Sequence, residues 1–87
     1  MLERGIEDYL VRCVREAGGE VRKVSWLGRR GAPDRRVMLP GVEPVWVELK
    51  APNKKAEPHQ LREHERMRAL GEKVVVVDSK AGVDGLL

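Results

Sequence analysis

Apolar residues recur at helical spacing near the start of the chain, within residues 3–17. Positions three or four residues apart share one side of a helix. The positions that follow this spacing are Ile6, Tyr9, Leu10, Cys13, Val14 and Ala17. The pair Gly18-Gly19 comes next, and glycine commonly ends a helix because it adopts left-handed backbone conformations without strain. The pattern predicts an amphipathic first helix.

The middle of the chain alternates between apolar and polar positions, which is typical of strands. Residues 20–26 predict a first strand, and residues 28–31 then form a charged loop. Residues 34–39 and 45–50 predict two further strands. The segment 40–44 between them, Pro-Gly-Val-Glu-Pro, is rich in turn-forming residues, so the two strands are expected to form an antiparallel hairpin.

The last third predicts a helix followed by a strand. After a loop over residues 51–57, Pro58 suits the first turn of a helix that runs to about residue 70. Residues 73–78 contain four consecutive valines, the pattern of a strand covered on both faces, and Ser79 can cap a final short helical turn. The order α-β-β-β-α-β predicts a single α/β domain over residues 1–87, with a mixed sheet because the last strand follows a helical crossover.

The charge composition of the chain favours a nucleic acid as its binding partner. Charged residues make up 36% of the 87 residues, the net charge is +3 and the sequence pI is about 9.4. Basic residues come in pairs that flank the 31–34 turn and follow residue 50, which favours contact with phosphates. The residues predicted to contact DNA are Arg29, Arg30, Arg35, Lys54 and Lys55.

Cys13 is the only cysteine, which excludes an internal disulfide and a cysteine-based metal cluster. No apolar run is long enough to span a membrane, and the charged first residues do not have the pattern of a signal peptide. These features predict a cytoplasmic protein that does not associate with membranes.

Two acidic residues and a lysine fall on the predicted hairpin in a way that indicates a metal-dependent nuclease site. Side chains alternate between the faces of a strand, so Glu48 and Lys50 share one face and leave the other to the core. On the paired strand Asp34 lies beside them, and the Leu49 carbonyl is a possible third ligand. Magnesium prefers oxygen ligands and keeps several waters, so this set is expected to bind Mg²⁺ or Mn²⁺. Lys50 would orient the attacking water and stabilise charge on the phosphate.

These segments resemble the motifs of the PD-(D/E)XK nucleases, and among them the small virus-type replication-repair nuclease (VRR-NUC) domain. Residues 31–34, Gly-Ala-Pro-Asp, are similar to its Gly-x-Pro-Asp motif, and residues 48–50, Glu-Leu-Lys, to its Glu-x-Lys motif. Gln60 matches the glutamine that opens its following helix. The resemblance covers essentially the whole chain and is greatest to standalone phage and bacterial domains. It implies a restriction-endonuclease-like core and a cytoplasmic location in a bacterial or phage-infected cell.

The resemblance also implies roles for individual residues. The catalytic set that it implies is Asp34, Glu48, Lys50, Gln60 and Glu7. Glu3 also qualifies as the glutamate of the first helix, since the two glutamates lie one turn apart, but Glu7 adjoins core positions and is favoured.

A metal-dependent deoxyribonuclease that cleaves branched DNA such as Holliday junctions in DNA repair is the function that the resemblance implies. Cleavage of two strands requires two sites, and a small domain with a limited core gains from symmetric pairing, so a homodimer is expected. The alternative is a non-catalytic basic module that binds nucleic acid, and a third hypothesis is a scaffold at a subunit interface.

Two other residue types have ordinary structural explanations. His59 and His64 are five residues apart, which does not align them as ligands on one helix face, and surface positions are expected for both. Trp26 and Trp46 could stack on unpaired bases, but in a chain without phenylalanine they are expected to be packing anchors.

Overall fold

The described part of the chain, residues 2–87 of a computed structural model, contains three helices and four strands. Their order confirms the predicted succession of elements, including the short helical turn after the last strand. The elements are α1 (Glu3–Glu16), β1 (Glu20–Lys23), β2 (Arg35–Met38), β3 (Val45–Leu49), α2 (Pro58–Ala69), β4 (Val74–Val77) and α3 (Lys80–Asp84).

The four strands form one sheet in the order β1-β2-β3-β4. The first three strands are antiparallel neighbours, and β4 runs parallel to β3 because α2 connects them as a crossover. The predicted mixed sheet is therefore confirmed. Ser79 caps α3 as expected, since its hydroxyl accepts a hydrogen bond from the backbone N–H of Gly82 at 3.0 Å.

The two faces of the sheet serve different purposes. One face packs against α1 and α3 and forms the hydrophobic core, whose buried members are Ile6, Leu10, Val14, Val37, Val45, Val47, Leu49, Val77 and Val83. The odd-numbered residues of β3 point into this core, so Trp46 and Glu48 point to the opposite face. That second face carries the candidate active site, and Gln60 of α2 reaches it to contact Glu48.

Two details of the sequence prediction are wrong. The first strand ends at Lys23 rather than Trp26, and beyond it the backbone N–H of Val24 still binds the carbonyl of Asp34 at 2.8 Å. The last strand is not covered on both faces, because Val76 is 38% exposed. This strand is the edge of the sheet, and α2 buries Val74 but leaves Val76 open to solvent.

Gly31 lies where the loop after β1 meets α2. Its φ angle is +92°, and a Cβ atom there would lie 2.8 Å from Cβ of Glu63. We expect Gly31→Ala to lower the free energy of unfolding by about 3 kcal/mol, through backbone strain and overlap with the helix. Gly28→Ala is the matched control, since Gly28 has a φ of +69° and nothing within 4 Å. Urea unfolding of both variants tests this, and equal losses would mean that the helix yields to the added methyl group.

Candidate active site

Asp34 and Glu48 are brought together by the register of β2 and β3. Arg35 pairs with Val47 in this antiparallel ladder, so continuing it by one residue places Asp34 opposite Glu48 on the same face. The aspartate is fixed there because its Oδ2 accepts a hydrogen bond from the backbone N–H of Leu49 at 2.9 Å. The two predicted acidic residues therefore face one site.

Glu48 is almost fully buried, with 1% of its surface exposed. Its Oε2 accepts a hydrogen bond from Nε2 of Gln60 at 3.0 Å and lies 3.4 Å from Nζ of Lys50, whereas Oε1 is buried without a hydrogen-bond partner. Burial, and next the negative charge of Asp34, raise the pKa of Glu48 to about 7, although Lys50 and Gln60 oppose the rise. The buried site therefore disfavours the ionised form of Glu48, and its own cation and hydrogen-bond donor offset this only in part.

The backbone carbonyl of Leu49 is left without a ladder partner by a proline. Continuing the β2–β3 register by two residues places Leu49 opposite Pro33, which is buried. Proline has no N–H to donate, so the carbonyl lacks the bond that this position of an antiparallel ladder normally provides. The Pro-Asp sequence thus frees one backbone oxygen and supplies one carboxylate at the same point.

This donor set suits a divalent cation with a preference for oxygen. An unpartnered carboxylate oxygen, a second carboxylate whose charge it feels and a free carbonyl are the groups that Mg²⁺ accepts, with water completing its coordination. Within residues 2–87 there is no group of three or more His, Cys, Asp or Glu side chains that could hold a metal ion. The side chains that face this point are the pair Asp34 and Glu48, so a metal ion here would take its other ligands from the backbone and from water.

Gln60 links the start of α2 to the site. Its Oε1 accepts a hydrogen bond from the backbone N–H of Glu57 at 2.8 Å, and its Nε2 donates to Glu48. Because both ends of the amide are engaged, the orientation of the side chain is fixed. Gln60 thus holds the buried carboxylate of Glu48 in one position.

The surface position that the sequence analysis expected for His64 is wrong. His64 is fully buried, and neither ring nitrogen has a hydrogen-bond partner. Burial, followed by the charge of Arg68, lowers the pKa of His64, so the ring is neutral at pH 7. The available signal was its spacing, because His64 follows Gln60 by one helical turn and so shares its face of α2.

Glu7 reaches the site only through Arg35. The carboxylate of Glu7 forms an ion pair with Arg35, whose guanidinium also donates to the backbone carbonyl of Asp34 at 2.9 Å. Glu3, the other candidate on α1, is exposed. Arg35 is mostly buried, so the phosphate contact predicted for it is not supported by its placement. The ion pair of Glu7 and Arg35 instead connects the Asp34 segment to α1.

The other predicted DNA contacts lie on two loops. Arg29 binds the carboxylate of Glu63 on α2 with Nη2 at 2.8 Å and Nε at 3.2 Å, and this contact lowers the pKa of Glu63. Arg30 is exposed, with Nη2 3.4 Å from Nδ1 of His59. The exposed lysines of the loop before α2 are Lys54 and Lys55.

The two tryptophans pack against each other, which agrees with the packing role expected for them. Their ring centroids are 5.5 Å apart in an edge-to-face arrangement, and the guanidinium of Arg36 lies 4.2 Å from the centroid of Trp46. The indole N–H of Trp46 donates to Glu72 at 2.8 Å. These contacts hold the loop after β1 against the sheet.

The chain is similar in sequence and in fold to known proteins. The chain is 51% identical over 78 residues, which are 90% of this chain and 84% of the relative, to "Putative nuclease p44" of Acyrthosiphon pisum secondary endosymbiont phage 1. It is similar to a solved structure described as "VRR_NUC domain", with a TM-score of 0.86 and 45% identity over 99% of this chain and 95% of the other. No family model matches the chain. No helix within residues 2–87 is long and apolar enough to cross a membrane.

Proposed function

The chain belongs to the VRR-NUC family of nucleases, and from that premise we propose that it is a DNA endonuclease that requires Mg²⁺ or Mn²⁺. The observation that carries the proposal is the state of Glu48. One of its oxygens is buried without a partner, its pKa is raised to about 7, and a second carboxylate faces it. A divalent cation would satisfy that oxygen and offset the repulsion between the two carboxylates.

The residues divide the work between holding the ion and stabilising the reaction. Asp34, Glu48 and the carbonyl of Leu49 would hold the ion, which when bound supplies Lewis acidity at the phosphate and favours ionisation of water. Lys50, whose Nζ lies 3.4 Å from Glu48, presents a positive charge to the negative charge that builds on the phosphate during attack. Gln60 fixes Glu48, and the N–H of Leu49 fixes Asp34.

We extend the proposal to four-way DNA junctions, the substrate that the family resemblance implies, and to a homodimer. Two sites related by a twofold axis would cut two strands in one complex. The edge of β4 is available for this pairing, because β4 has a neighbouring strand on one side only and its Val76 is 38% exposed. Light scattering of the purified protein measures the mass that this pairing predicts.

Cleavage of a labelled four-way junction and a linear duplex of the same sequence tests the proposal. With Mg²⁺ or Mn²⁺ we expect the native protein to cut the junction faster than the duplex, and with a chelator to cut neither. Asp34→Asn should be inactive with either ion, because it removes one ligand charge but keeps an acceptor for the N–H of Leu49. Asp8→Asn, at an exposed position of α1, is the control and should cut normally.

Three outcomes would count against parts of this proposal. Cleavage that persists in chelator would remove the metal requirement. Equal rates on junction and duplex would remove the selectivity for branched DNA. Tight DNA binding without cleavage under any metal condition would favour a module that only binds DNA.

A further inference from the structure

Leu27 is the most exposed large hydrophobic residue within residues 2–87, with 99% of its surface open to solvent. It lies in the loop between β1 and β2, which leads into Asp34. A single exposed leucine is common on protein surfaces and by itself indicates nothing. Leu27 differs from such residues because its loop is held by contacts on both sides and because a positively charged residue lies nearby.

Side-chain contacts on both sides of Leu27 hold its loop against the rest of the domain. Trp26, directly before it, packs edge-to-face against Trp46 of β3. Arg29, two residues after it, forms a bidentate contact with Glu63 on α2. The backbone at Gly31 then approaches the same helix more closely than any side chain would allow. Leu27 is therefore presented to solvent on an anchored loop.

The contacts that anchor this loop are made with neighbours of the proposed catalytic residues. Glu63, which holds Arg29, follows Gln60 by one helical turn, and Gln60 contacts the buried Glu48. Leu27 is two residues from Arg29, a separation of at most about 7 Å along the chain. Arg30 adds an exposed positive charge beside this tip.

We propose that Leu27 inserts between bases at the branch point of the DNA, while Arg30 contacts an adjacent phosphate. This inference rests on the proposed function, and it names the feature of branched DNA that the enzyme recognises. Apolar side chains such as leucine act as wedges between base steps, and insertion requires unstacking. At a branch the stack is already interrupted, so insertion costs less there than within a continuous duplex.

The charges around Leu27 favour DNA over a protein as its partner. The charge of Arg29 is matched by Glu63, whereas Arg30 is exposed on the same loop and can attract a phosphate. A symmetric contact between two copies of this chain through the loop would bring two Arg30 side chains together, and they would repel each other. An apolar tip beside an exposed cation is instead suited to DNA, which has charged phosphates outside and apolar bases inside.

The test places 2-aminopurine, whose fluorescence rises when it leaves the base stack, at the branch point of a four-way junction. Binding is measured in chelator, so that no cleavage is needed for the signal. We expect the native protein to raise the fluorescence and Leu27→Ser to lose most of that rise. Leu27→Met, which retains an apolar side chain, should keep it. Leu70→Ser is the matched control, because Leu70 is 82% exposed at the far end of α2 and should behave as the native protein does.

A second measurement connects the wedge to selectivity. With Mg²⁺, we expect Leu27→Ser to lower the ratio of junction to duplex cleavage rates on the order of tenfold, and Leu70→Ser to leave it unchanged.

Two results would overturn the inference while leaving the proposed nuclease function intact. One is an unchanged fluorescence signal when the native protein binds and cuts the junction. The other is a Leu27→Ser variant that matches Leu70→Ser on DNA but has an altered mass in solution, which would assign Leu27 to contact between copies. Conversely, unstacking without any cleavage would support the wedge and contradict the proposed catalysis.

Discussion

Lys50→Ala is expected to slow DNA cleavage by a factor on the order of 10³, while most of the DNA affinity remains. The ammonium of Lys50 is mostly buried beside Glu48, so its charge acts at the phosphate with little screening by water. Its contribution to binding is one contact among several basic residues on two loops. Single-turnover cleavage at saturating protein measures the rate, and fluorescence anisotropy in chelator measures the affinity.

Two further variants distinguish catalysis from general charge. Lys73→Ala removes an exposed lysine before β4, at the opposite end of that strand from the site, and should cut at the native rate. Lys50→Arg keeps the charge but replaces a compact ammonium with a planar guanidinium, so activity should stay low. Full activity in Lys50→Arg would mean that only the positive charge at this position is needed, and not the shape of the lysine. An equal loss of affinity and rate in Lys50→Ala would make it a binding residue.

The hairpin that carries Asp34 and Glu48 could be predicted from sequence because its determinants are local. Two-residue alternation defines the strands, and the turn at residues 40–44 connects them, so the pairing and the shared face of Glu48 and Lys50 follow. The parallel placement of β4 follows in the same way from the helix that precedes it.

The environment of α2 could not be predicted from hydrophobicity alone. Leu61 is exposed while His64 is buried, the reverse of their usual preferences. The side of α2 that carries His64 also carries Gln60, which points into the site and contacts Glu48. Periodicity assigns an apolar side to the core, and here a polar side faces inward. The pairing of Glu7 with Arg35 could not be predicted from local pattern either, since it joins residues 28 positions apart.

Glu48→Gln is expected to abolish cleavage and at the same time to stabilise the metal-free protein. The pKa of Glu48 rises from its usual 4.5 to about 7 on folding, mainly through burial. Between these pH values the unfolded chain loses a proton that the folded chain retains, so stability falls as pH rises. The fall amounts to about 3 kcal/mol by pH 8, and glutamine removes it.

Urea unfolding in chelator at pH 5 and pH 8 measures this effect. Between pH 5 and pH 8 the native protein should lose more stability than Glu48→Gln loses. Glu43→Gln, at an exposed turn position, should lose as much as the native protein. Adding Mg²⁺ at pH 8 should stabilise the native protein and leave Glu48→Gln unchanged, because an ion that binds only the folded state raises stability. If both respond equally to Mg²⁺, the ion is held elsewhere. A stability cost that the ion relieves would explain why a small domain retains an acidic residue in its interior.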